Sequence, residues 1–121
     1  MKNTILQKEL SNILGERLTI SESIRTNYSR GEDIFDPVLS QAVVFPNDTE
    51  EVSKITKLCN KFKTPIIPFG TGTSLEGHVL GNKEGITLSL ENMNKVIEVY
   101  SEDFDCRVQA NVTRKQLNEE L

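Results

Sequence analysis

The chain has 121 residues, 36% of them hydrophobic and 26% charged, with a formal net charge of -4. That composition suits one modest domain with its own core, and an acidic balance without a basic stripe argues against nucleic acid as a partner. No segment approaches the roughly 18 apolar residues of a membrane span, and Lys8 and Glu9 fall where a signal peptide needs its apolar core. The two cysteines have no metal-ligand spacing, and Cys59 sits on an apolar helix face, so reduced thiols in a cytoplasmic protein are expected.

In chain order, residues 4–14 carry Leu6, Leu10, Ile13 and Leu14 at helical spacing, with Gly15 placed to stop the helix. The polar stretch Thr19 to Asp36 predicts a short helix followed by an irregular approach loop. AVVFP (Ala42–Pro46) reads as a buried strand closed by proline. Asp48, with Glu51 three residues later, opens a helix of the capping-box type whose apolar stripe is Val52, Ile55, Leu58, Cys59 and Phe62. IIPF (Ile66–Phe69) is the next strand, so residues 42–69 form strand, helix, strand, with the two strands parallel across a helical crossover. ITLSL (Ile86–Leu90) alternates and predicts a third strand. ENMN is a turn, Val96 to Val99 restart an extended pattern, SEDFD (Ser101–Asp105) is a hairpin loop, and Cys106 to Val112 alternates again. TRKQLNEEL begins as a helix with Thr113 and Gln116 at its start. It runs only about two turns and carries no stop signal, which predicts the front piece of a longer protein.

Between the second and third strands lies PIIPFGTGTSLEGH, opening a zone from Gly70 to Gly85 that holds five of the seven glycines. Gly70 and Gly72 miss the dinucleotide fingerprint because position 75 is Leu75. Gly72 to Gly77 fits GxxxxG, but His78 and Val79 follow where an NTP-binding loop needs Lys and Ser or Thr. What remains is a loop with three hydroxyls (Thr71, Thr73, Ser74) and successive backbone N–H groups, able to form an anion-binding concavity. The competing reading is a flexible surface loop. His78, the only histidine, has no triad or metal partners by spacing and reads as a loop residue serving through packing or backbone. Glu76 reads as solvated, Glu102, Asp103 and Asp105 as a hairpin tip, and Arg114, Lys115, Glu119 and Glu120 as a solvated helix face.

Taken together, AVVFPNDTEEVSKI, PIIPFGTGTSLEGH, GITLSLENMNKVIEV and EDFDCRVQANVTRKQLNEEL occur in an order and spacing that resembles the start of a known domain. It is the FAD-binding, PCMH-type domain of the vanillyl-alcohol oxidase / p-cresol methylhydroxylase superfamily, closest to the D-lactate dehydrogenase (cytochrome) and glycolate oxidase FAD-subunit branch. The resemblance runs from about residue 41 to 121. It implies an α+β (mixed α/β) fold, a small sheet with helices that forms the incomplete first subdomain of the FAD domain. Residues 1–40 would be N-terminal helices and approach loop, and 41–121 the N-terminal part of that domain.

By the same resemblance the loop after the second strand would wrap the FAD pyrophosphate through Pro68, Gly70, Thr71, Gly72, Thr73, Ser74, Gly77 and His78. Covalently flavinylated members typically have a histidine after the loop glycines. Thr73 follows Gly72 here, implying non-covalent FAD. Where close relatives have Pro-Gly or a similar pair before VTRKQL this chain has Ala110-Asn111, and asparagine tolerates a left-handed backbone. The implied parent is an FAD-dependent dehydrogenase of D-lactate or a similar D-2-hydroxy acid. Its substrate, its electron acceptor and its catalytic and metal-binding residues would be handled by regions beyond Leu121. The alternative is a non-catalytic binding or assembly module that kept the flavin-domain fold.

Overall fold

The computed structural model describes Met1 and residues 3–121. The first helix, α1 (Thr4–Leu14), starts where Asn3 Oδ1 accepts from Leu6 N (2.9 Å) and ends at Gly15. Leu6, Leu10 and Leu14, one turn apart, are all buried. A 3-10 turn (Gly15–Arg17) leads into the two-residue strand β1 (Leu18–Thr19), then α2 (Glu22–Asn27), then the approach loop. The strands and helices that follow are β2 (Ala42–Val44), α3 (Thr49–Lys61), β3 (Ile66–Phe69) and β4 (Ile86–Ser89). The chain ends with β5 (Val96–Tyr100), β6 (Asp105–Val108) and α4 (Arg114–Glu120).

The main sheet has the order β1-β2-β4-β3. β2 and β3 are parallel to each other, as the crossover pattern predicts, but β4 inserts between them and pairs with both. β1, which the polar sequence around it did not announce, adds an antiparallel edge to β2. Pro68 is tolerated because β3 is the other edge, where a missing N–H breaks no interior ladder.

The alternation of ITLSL turns out to be chemical rather than a matter of exposure, since all four residues of β4 are buried. Ile86 and Leu88, with Ala42 and Val44, join the apolar cluster of Leu6, Leu10, Leu14, Ile55 and Cys59 beneath α1 and α3. Thr87 and Ser89 point to the opposite face, where the approach loop lies. There Thr87 Oγ1 is 2.7 Å from Ser40 Oγ, which also accepts from Asn82 N (3.1 Å). Hydrophobic helices cover one face of the sheet and a hydroxyl-bonded loop layer covers the other.

The start of α3 departs from a simple capping box. Asp48 Oδ1 accepts from Glu51 N (2.8 Å), but the Glu51 carboxylate reaches Asn47 N (2.7 Å), one residue further back than Asp48. Its oxygens also take both arms of the Arg17 guanidinium (2.7 and 2.6 Å), and Arg17 Nη1 donates to Phe45 O (3.1 Å). That fork ties the turn after α1 to the start of α3. The Arg17 hydrogen bond is the main cause holding the Glu51 carboxyl below its ordinary pKa.

β5 and β6 form a separate antiparallel hairpin across the expected polar turn, with Phe104 at positive φ. Among the described residues, no helix is long and apolar enough to cross a membrane.

Candidate functional site

The glycine-rich segment leaves the sheet at the C-terminal end of β3, beside the C-terminal end of β4. Open α/β sheets characteristically bind ligands beyond these strand ends. The ladder closes with Leu90 N donating to Phe69 O (2.9 Å), and the loop departs at Gly70. Gly72 sits at φ +74, and a Cβ there would fall 2.6 Å from the Phe69 ring, so the turn requires glycine on both counts. Phe69 is in turn held by the Tyr28 ring in an edge-on contact at 4.7 Å.

Among the described hydrogen bonds, none of the nine N–H groups from Gly70 to His78 donates to an acceptor in the chain. The bonds resume at Leu80 N, which donates to Gly77 O (3.2 Å). None of these nine residues is buried, so their amides can stay open to solvent, and a run of consecutive amides without internal acceptors can serve a polyanion.

Beside the loop lies a cleft of about 490 Å³. Phe69, Gly70, Thr71 and Gly72 form part of its lining. The rest comes from Asn27, Tyr28 and Arg30 at the end of α2 and just beyond, from Glu91 after β4, and from Asn111 after β6. Tyr28 OH donates to Glu91 Oε2 (3.4 Å) and accepts from Ser89 Oγ (3.4 Å), and burial pushes its phenol above its ordinary pKa. Asn111 is not at positive φ, so position 111 makes no left-handed turn. Its Oδ1 instead faces Gly70, 3.4 Å from where a Cβ would stand.

The sequence-predicted residues divide into three groups. Gly70, Thr71 and Gly72 line the cleft, and Thr73 continues from them, its Oγ1 3.2 Å from Thr71 Oγ1. Ser74 and His78 pair with each other further along (Oγ to Nδ1, 3.2 Å), and Gly77 packs against the Phe35 ring, outside the cleft lining. Pro68 is exposed on the edge strand, in register with Leu88 on the helix-side face, and also lies off the cleft. His78 is exposed, and Ser74 is the one hydrogen-bond partner shown for it. Sequence reasoning missed Asn27, Tyr28, Arg30 and Glu91, which lie in segments read as approach loop and turn. Only the sheet topology brings them to the glycine loop. Among the described residues, no group of three or more His, Cys, Asp or Glu side chains gathers where it could hold a metal ion.

Comparison with known proteins gives the family and the fold. The family described as "FAD binding domain" matches residues 40–121. The "Probable D-lactate dehydrogenase, mitochondrial" of Danio rerio is 42% identical over 106 residues, covering 88% of this chain and 21% of that protein. The "D-lactate dehydrogenase [cytochrome], mitochondrial" of Arabidopsis thaliana is 37% identical over 118 residues, covering 96% of this chain and 21% of that protein. The chain thus spans about a fifth of the length of these relatives.

Among solved structures, an alkyldihydroxyacetonephosphate synthase superposes with a TM-score of 0.90 at 20% identity, covering 99% of this chain and 25% of its own. p-Cresol methylhydroxylase superposes at 0.83 and 21% identity, covering 96% of this chain and 24% of its own. These two likenesses establish the fold. The resemblance carried by the four ordered motifs is borne out: the chain belongs to the FAD binding domain family, and FAD is its cofactor.

Proposed function

We propose that this FAD-binding chain is the N-terminal part of the flavin domain of a D-2-hydroxy-acid dehydrogenase acting on D-lactate or a close analogue. In this reading the segment Gly70 to His78 holds the FAD pyrophosphate non-covalently. The observation that carries it is the run of nine amides without internal acceptors, placed at the C-terminal ends of parallel strands and beside a polar cleft. A diphosphate supplies many acceptor oxygens, and glycines let it approach the backbone closely.

The residues present fit that group. Thr71 and Asn111 line the cleft with neutral polar groups, Arg30 adds a guanidinium, and position 73 carries a threonine rather than an imidazole that could bond to a flavin. When bound, the flavin would supply hydride-accepting chemistry, while the residues of this chain position it. Substrate and electron acceptor would meet the flavin through regions that the longer relatives carry. Two free thiols, Cys59 and Cys106, suit a reducing compartment such as the cytoplasm.

The test is expression from the native gene together with whatever coding sequence follows Leu121. Expected are a flavin spectrum, FAD released intact by denaturation, and dye reduction that depends on D-lactate or another D-2-hydroxy acid. A colourless product with no such activity overturns the reading.

A further inference from the structure

The family match begins at residue 40, yet the cleft beside the glycine loop takes part of its lining from residues 27–30. Two observations make that segment more than a neighbour. Gly31 is pressed against the loop itself: a Cβ on it would stand 2.9 Å from Gly72 O, 2.9 Å from Ser74 O and 2.8 Å from Val79 Cγ2. The preceding residue, Arg30, lines the same cleft as Gly70, Thr71 and Gly72. Its Nη1 donates to Phe35 O (3.0 Å), which steadies the guanidinium and leaves its other donors for an incoming acceptor.

We propose that Arg30 is a ligand of the FAD diphosphate, held at the cleft by the docking of Gly31 on the glycine loop. This rests on the reading that the loop binds the diphosphate, and adds the charge that the loop lacks. Amides and hydroxyls alone offer neutral hydrogen bonds, whereas a guanidinium offers charge-assisted, two-pronged contacts to phosphate oxygens. The other charged group lining the cleft, Glu91, accepts from Tyr28 OH and repels an anion, so a diphosphate settles on the Arg30 and Gly70–Gly72 side.

The test uses the protein expressed with whatever coding sequence follows Leu121, freed of flavin, labelled with ¹⁵N and titrated with FAD, with ADP, and with riboflavin as the ligand that lacks a diphosphate. FAD and ADP should shift the Gly70–Gly72 amides saturably, and riboflavin should not. Arg30→Gln should weaken FAD and ADP roughly three- to tenfold and flatten the salt dependence of binding, with Arg30→Lys between Gln and wild type. Because Arg30 is exposed, these variants should keep the wild-type unfolding midpoint. Gly31→Ala, which keeps the charge but lifts the segment off the loop, should also weaken both ligands.

If Arg30→Gln binds FAD as wild type does, with the loop amides still shifting, the Arg30 proposal falls and the loop reading stands. If FAD and ADP leave the wild-type loop amides unmoved, both fall. Unchanged binding by Gly31→Ala overturns the docking half alone.

Discussion

Gly81→Ala should be among the most damaging single-atom additions the chain can receive. A Cβ at position 81 would stand 1.9 Å from Val38 O, 2.8 Å from Val38 C and 2.8 Å from Ser40 N. All three are backbone atoms, and neither partner strand of chain can step aside alone. Gly81 N and Val38 N both donate to Ser29 O (3.2 Å each), and Ser40 is pinned by its buried bond to Thr87. Restoring ordinary contact needs a backbone displacement of about 1.3 Å, taking roughly 3.2 Å as the closest tolerable approach. Overpacking of that kind costs about 1–3 kcal/mol, and losing the Gly81–Ser29 bond adds about 1 kcal/mol, for a total of about 2–4 kcal/mol.

In a chain of this size that lowers the thermal midpoint by roughly 8–16 °C. Urea denaturation followed by circular dichroism measures it, with the m-value unchanged. Gly70→Ala is the control, since a Cβ there meets only Asn111 Oδ1 at 3.4 Å and should cost about 1 kcal/mol or less. A Gly81→Ala protein within about 0.5 kcal/mol of wild type would refute the argument that the approach loop and the glycine segment are locked backbone to backbone.

Four further outcomes follow from the packing. Alanine at Arg17 and at Glu51, combined in a double-mutant cycle, should give a coupling of about 1 kcal/mol that shrinks in high salt, the pair being bidentate but partly exposed. Because folding lowers the Glu51 pKa, its stabilisation is present above the unfolded carboxylate value, near 4.5, and is lost as pH falls through the folded value. Stability measured from pH 6 down to pH 3 should therefore lose a component that Glu51→Gln lacks. Thr87→Val should cost about 1 kcal/mol and Ser40→Ala about 2 kcal/mol, because Ser40 Oγ serves both Thr87 and Asn82 N; equal costs in urea titrations would contradict that accounting. Cys59 is buried and its thiol is pushed up to about 11, so a thiol reagent at pH 8 should modify one cysteine per native chain, Cys106, and both in urea.

Much of the architecture was legible because it is written in periodic apolar spacing. Leu6, Leu10 and Leu14, and then Ile55 and Cys59, announce helix faces that the structure buries. What was not legible is non-local. β1 is two residues long and exists because Val43 and Val44 offer an edge to Thr19 and Leu18, which no local pattern encodes. The insertion of β4 between β2 and β3 is equally silent in sequence, since a parallel crossover fixes direction but not adjacency.

At the site, glycine spacing in Gly70–Gly77 exposed the loop, whereas Tyr28, Arg30 and Glu91 were invisible because their role depends on which strands are neighbours. TNYSRG looks like any polar turn. The glycine that directly follows the arginine there is required by the close approach of Gly31 to Gly72 O and Ser74 O.

The two faces of β4 explain why a small sheet can present a glycine loop rigidly without burying the loop itself. On one side Ile86 and Leu88 anchor the strand in the apolar cluster of α1 and α3, contributing on the order of 2 kcal/mol each by burial. On the other side Thr87 and Ser89 offer hydroxyls, which are weaker per contact but directional, and these engage Ser40 and Tyr28 from the segment that crosses the loop. An apolar second face would have bound that segment without fixing its register. A hydroxyl face fixes it, and Gly31 and Gly81 then meet the backbone of their neighbours at distances no other residue permits. Those contacts hold the walls of the cleft, and among the described hydrogen bonds the amides from Gly70 to His78 have no internal acceptor. Stability is thus concentrated beneath the strand, and the loop proposed to hold a diphosphate keeps its backbone donors open above it.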